Sequence, residues 1–204
     1  MLDIAMALRL KGIASADHIA ETTGADPSAV ADALAQMVEA GHAQETPRGL
    51  RLMPEGRTWL DEQLAVEREG VDHDAIEAVY ERFCEHNGEF KQLVTDWQVR
   101  DVDGTQELND HTDPDYDQAI FDRLAALDAA VEPVFADAVA LAPRLARYPE
   151  RFAAALAAIQ AGDPSFLAAP LKDSYHTVWF ELHEELILLC GRTRAQEAAE
   201  GRGA

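Results

Sequence analysis

Ser15-Ala16-Asp17-His18-Ile19-Ala20-Glu21-Thr22-Thr23-Gly24-Ala25-Asp26-Pro27-Ser28-Ala29-Val30, continued to Gly41, reads as two short helices with a glycine stop between them. Ser15 can accept the orphan N–H groups of a first turn that runs on through Ile19 and Ala20. Gly24 suits the left-handed backbone of a helix end. Asp26-Pro27 is a stronger start signal, because the carboxylate caps and proline at the first helical position gives up no hydrogen bond. Val30, Leu34, Met37 and Val38 then line one side as far as Gly41. Upstream, Ile4, Ala5 and Leu8 give Leu2 to Lys11 the same spacing, with Gly12 as its stop. Three short helices in this order match a helix-turn-helix.

His42 to Thr46 and Leu50 to Met53 flank Pro47-Arg48-Gly49, which predicts a small β-hairpin. Pro54-Glu55-Gly56 then opens a helix through Trp59, Leu60 and Leu64. The run Leu50-Arg51-Leu52-Met53-Pro54-Glu55-Gly56-Arg57 resembles the wing strand and helix start of MarR-type winged helix-turn-helix regulators. The resemblance covers residues 1–68 and implies a third helix in the major groove with the hairpin on the DNA backbone. It would turn Ser28, Ala29, Asp32, Ala33, Gln36 and Glu39 towards DNA, with Ser28, Gln36, Arg48 and Arg51 as the contacting residues. Winged helices also serve as protein-docking modules.

Charge argues against the nucleic-acid alternative. The formal net charge is −21, and no Lys or Arg occurs between Ile13 and Pro47, where Asp17, Glu21, Asp26, Asp32, Glu39 and Glu45 all fall. Affinity for duplex DNA comes largely from cations that neutralise phosphates. Only Arg48, Arg51 and Arg57 offer that here.

From residue 69 the pattern becomes that of long helices, so the expected fold is mainly α: a winged helix-turn-helix with a small β-hairpin (1–68), a helical bundle (69–191) and a fraying tail (192–204). Ile76, Val79, Tyr80 and Phe83 continue through Phe90, Leu93, Val94 and Trp97 as one long helix weakened at Gly88. Arg100 to Pro114 reads as an acidic loop. Asp101, Asp103 and Gly104 echo part of a calcium-binding loop, but Val99 and Asp110 stand where that motif needs an acidic residue and a bidentate glutamate. A solvated connection is the better reading. Asp113-Pro114 opens the next helix, which Pro133 is expected to bend or divide. The last strong helix is expected from Leu171 to Cys190. Cys84 and Cys190 read as buried structural thiols.

On a helical projection of that last helix, Glu181, Glu184 and Glu185 share one side, taken as solvated, while Tyr175, Trp179, Phe180, His176 and His183 fall on the apolar side. Both histidines are therefore expected to point inwards. Packed against His86, Asn87, Lys91 and Trp97 of the first long helix, they could enclose an aromatic-walled pocket for a small aromatic or carboxylated ligand. The bland alternative is that they hydrogen-bond within the core and fix helix register. A spacing of seven between the histidines does not suit adjacent-turn metal ligands, and no catalytic signature is present. Phe90-Lys91 with Thr95-Asp96-Trp97-Gln98, and Asp173 through Glu184, also resemble segments of small helix-turn-helix proteins linked to phosphoenolpyruvate-utilising, pyruvate phosphate dikinase-like phosphotransferases. That resemblance implies an accessory role. The expected protein is a cytoplasmic, non-enzymatic homodimer without cofactor, metal or membrane span: a ligand-responsive regulator or, alternatively, an adaptor for a protein partner.

Overall fold

Asp26 accepts hydrogen bonds from the backbone N–H groups of Ser28 and Ala29, both at 3.0 Å, and starts a helix whose first residue is Pro27. That helix, α3 (Pro27–Glu39), follows α1 (Leu2–Lys11), the two-residue strand β1 (Ile13–Ala14) and α2 (Ala16–Thr23), which Ser15 caps. The computed structural model describes residues 1–102 and 104–199 and divides into two compact units, Met1–Asp72 and His73–Ala204.

In the first unit the hairpin β2 (Ala43–Thr46) and β3 (Gly49–Leu52) is joined by β1 into an antiparallel sheet ordered β1-β3-β2. β1 was not foreseen, because two residues are too few to show an alternation. Its pairing with β3 demands Gly49 (φ 129°), since a side-chain carbon there would meet the Ala14 carbonyl oxygen at 2.4 Å. Gly56 opens α4 (Pro54–Glu69) for the same kind of reason: a Cβ would lie 2.0 Å from the His42 carbonyl oxygen. Leu8, Ile19, Val30, Leu34, Leu60 and Leu64 fill the interior. Ala33, expected to face outwards, is 8% exposed and belongs to that core, because the helix turns its Leu34/Met37 side inwards and Ala33 lies at the shoulder.

The second unit is helical. Long α5 (His73–Gln98) passes Gly88 unbroken and connects to α6 (Pro114–Leu141). Their connection is not a plain loop: β4 (Val99–Val102) and β5 (Thr105–Leu108) pair as a hairpin, with Gly104 at φ 84° in the turn. The turn residue Asp103 lies outside the described residues, and with it the comparison to a calcium-binding loop. Arg123 pairs with Asp96 and Arg82 with Asp137, so the two helices run antiparallel. α6 continues through Pro133. Proline is tolerated because Pro133 and Ala129, whose carbonyl loses its N–H partner, both lie on the exposed side, where water can satisfy the group.

α7 (Arg147–Gln160) and α8 (Tyr175–Leu189) complete the bundle. α8 starts later than expected because Ser174 caps it, accepting from Thr177 N–H at 3.3 Å. Beyond α8 the chain does not simply fray. Gly191 N–H bonds to Leu188 O and Arg192 N–H to Ile187 O, both at 3.0 Å, a Schellman stop. Thr193 and Gln196 then form a reciprocal capping box that begins α9 (Arg194–Ala199). No helix among the described residues is long and apolar enough to cross a membrane.

Candidate functional site

α8 is the centre of the second unit and is enclosed on nearly every side, packing against both α5 and α7. Between α5 and α8 lies a ladder of rings. Trp179 stacks on Phe83 (4.7 Å between centroids) and on Phe90 (4.4 Å), and meets the edges of Phe135 and Phe152 at 6.4 and 6.1 Å. Its Nε1–H donates to Asn87 Oδ1 at 2.9 Å, which explains why a buried asparagine sits on α5. The Tyr175 hydroxyl donates to Asp128 Oδ1 at 2.8 Å, and burial raises the Asp128 carboxyl above its ordinary range.

Of the residues expected to line a pocket, Asn87, Tyr175, Trp179 and His183 are all buried in this interior, where Asn87 pairs with Trp179, Tyr175 with Asp128 and His183 with Tyr80. His86 is half-buried and Lys91 exposed. Trp97 sits at the far end of α5 against His111 (4.0 Å) and Phe121 (5.4 Å). His176 is exposed although it shares a bearing with His183, since it occupies the first turn of α8, where less of the bundle covers it. Phe180 is likewise 41% exposed, and the Arg194 guanidinium lies over its ring at 4.1 Å.

The side of α8 expected to be solvated is the least expected part of the interior. Glu181 and Glu185 are 2% and 0% exposed, whereas Glu184 is only half-buried. Arg144 and Arg147 both pair with Glu185, and the Tyr148 hydroxyl donates to the same carboxylate at 3.2 Å. Arg151 bridges Glu181 at 2.7 Å and Asp173 at 2.9 Å. Burial, followed by the Glu185 charge, pushes the Tyr148 phenol well above its ordinary range. A signal existed: Arg144, Arg147 and Arg151 are spaced by three and four residues and Glu181 and Glu185 by four, so each set shares a helix face.

A second buried polar cluster gathers where α9 meets α5 and α8. The Tyr80 hydroxyl donates to Glu197, whose other oxygen accepts from Arg192 Nη1 at 3.0 Å. Arg192 also grips Glu77 through Nε (3.2 Å) and Nη2 (2.5 Å). Because the Tyr80 proton points at Glu197, the contact with His183 Nε2 at 3.4 Å has the imidazole as donor. Cys190 lies at this end, and burial, then Glu77, pushes its thiol up to about 12. Cys84 is half-buried, and neither thiol is in a disulfide.

Burial, followed by the Arg194 cation, pushes His183 down to about 4. An unfolded histidine titrates near 6.5. Between those values the unfolded chain binds more protons than the folded one, so stability is intact above pH 6.5 and falls as pH drops towards 4. In urea melts the native chain is expected to lose about 2–3 kcal/mol more than His183→Gln between pH 7 and pH 4.5. Equal losses for the two proteins would show that the imidazole is not held neutral.

Among the described residues no three His, Cys, Asp or Glu side chains are grouped to hold a metal ion. No protein-family model, curated protein or solved structure matches this chain.

Proposed function

We propose that the chain is a non-catalytic adaptor whose N-terminal unit is a winged helix that docks on a protein. The observation that carries this reading is the exposed surface of α3: Ser28, Ala29, Asp32, Gln36 and Glu39 are all exposed, with Asp26 beside them, and the helix contains no Lys or Arg. Such a face repels phosphates and suits a partner with basic or amide-rich groups. The hairpin adds little positive charge to set against it. Arg48 is exposed at the turn, while Arg51 is engaged through Nε (3.2 Å) and Nη2 (2.7 Å) with Gln44 on the neighbouring strand. The interlocked rings between α5 and α8 further favour a rigid scaffold over a ligand sensor. A pyruvate phosphate dikinase-like phosphotransferase is the first partner to try, because two segments of the chain resemble proteins linked to such enzymes.

Arg48 at the hairpin turn favours a second reading, a homodimeric winged-helix regulator that contacts DNA through Ser28, Gln36, Arg48 and Arg51. Fluorescence anisotropy with random and genomic duplexes at low salt separates the two. The adaptor reading expects no saturable binding below about 100 μM, where ordinary non-specific DNA binders already associate. It also expects a photo-crosslinker at Gln36, but not one at exposed Glu62, to trap a protein. Duplex binding that weakens steeply with salt and is lost in Arg48→Ala overturns it.

A further inference from the structure

Glu197 is fully buried, yet it arrives on a helix of only six residues, and the neighbouring described positions Arg194, Ala195, Gln196 and Ala199 are half-buried or exposed. A helix this short has little stability of its own in water. Removing a carboxylate from water is costly unless charged and hydrogen-bonding partners receive it. Here the Tyr80 hydroxyl and the Arg192 guanidinium do so, while Arg194 pairs with Glu184 at 2.6 Å. These charged contacts tie α9 to the bundle.

The receiving groups belong to the bundle rather than to α9. Tyr80 is on α5 and His183 on α8, and neither is exposed. Arg192 precedes α9, its backbone tied to Ile187 by the Schellman stop and its side chain clamped by Glu77 across from the Tyr80 ring, 5.4 Å away. Were the chain to swing away from Thr193 onwards, Tyr80 and Arg192 would stay behind as a preformed carboxylate cradle. The side chain of Arg192 is 26% exposed, which gives the cradle an approach from solvent. His183 backs the cradle from α8, its Nε2 lying 3.4 Å from the Tyr80 hydroxyl oxygen and so helping to orient that hydroxyl.

We infer that Tyr80 and Arg192 form a binding site for a small free carboxylate, and that Glu197 is an internal plug which such a ligand displaces, releasing α9. The exchange is chemically symmetrical, since an incoming carboxylate restores both bonds that Glu197 gives up. The site lies wholly within the second unit, so its test is independent of what the N-terminal unit binds.

Propionate reproduces the Glu197 side chain beyond its Cα and is the first probe. Tryptic cleavage after Arg194 in the full-length protein, followed by mass spectrometry, reports release of α9. Propionate is expected to accelerate that cleavage at least fivefold over equal concentrations of sodium chloride or of neutral propionamide. Glu197→Gln is expected to be cleaved about tenfold faster without any addition and to bind propionate saturably by calorimetry. Tyr80→Phe, which removes one hydroxyl, is expected to act in the same direction, and it serves as the readout if circular dichroism shows Glu197→Gln to be misfolded. Native cleavage rates in the folded variants, acceleration by sodium chloride equal to that by propionate, or a folded Glu197→Gln that binds no propionate would each overturn the inference.

Discussion

Replacing Glu185 with alanine is expected to destabilise the second unit by about 3–5 kcal/mol, because it removes the carboxylate with which two buried guanidinium groups pair. Arg144 and Arg147 both pair with that carboxylate, and their side chains are 8% and 6% exposed. Neither can reach water without opening the packing of α7 on α8. The same logic predicts a contrast that a packing effect would not produce. Exchanging Arg144, Arg147 and Glu185 together for Met, Met and Leu removes charges and partners at once, and is expected to be near neutral or even stabilising. Urea denaturation of the single and triple variants tests this. A single variant that loses less than about 1 kcal/mol would mean that the carboxylate is solvated like an ordinary surface pair.

Trp179→Ala is expected to cost about 3–5 kcal/mol, the range for deleting a large buried aromatic ring. The side chain is 2% exposed and sits between Phe83 and Phe90, so no neighbour can move to fill the space it leaves. Trp179→Phe separates two contributions. It keeps most of the ring contact but leaves Asn87 Oδ1 without its donor, for an expected cost of about 1–3 kcal/mol. Thermal and urea melts check both values. A mild effect of the alanine variant, with a cooperative transition retained, would reveal slack between α5 and α8 and would revive the ligand-sensing alternative.

Local signals carried most of the architecture. Ser15, Asp26 and Asp113 cap through side-chain oxygens and Gly12, Gly24, Gly41 and Gly191 adopt positive φ, because caps and stops act within one turn and need no tertiary context. The Thr193–Gln196 capping box was equally local and was passed over. The interior was less legible. A helical projection assigns one wet and one dry side, a rule that fails for α8, which the bundle surrounds. Glu181 and Glu185 could be placed inside only by matching them to Arg144, just before α7, and to Arg147 and Arg151 on it, and the two pairings with Glu185 span 41 and 38 residues of sequence. His176 fails in the opposite way, since a projection records bearing but not whether a neighbour extends to that turn. Of the proposed pocket, Asn87, Trp179, Tyr175 and His183 are all buried, as their helical faces imply. Which partner each one takes, Asp128 for Tyr175 and Tyr80 for His183, follows only from distances.

The Tyr80–Glu197 and Cys190–Ile76 contacts join residues 117 and 114 positions apart. During synthesis, then, the aromatic side of α5 emerges from the ribosome long before α8 exists to cover it. The second unit cannot reach its native packing co-translationally until residues 175–197 are free of the exit tunnel. In the interval a nascent chain displays Phe83 and Phe90, a surface suited to chaperone capture, and a product truncated before α8 is a natural target for proteolytic quality control.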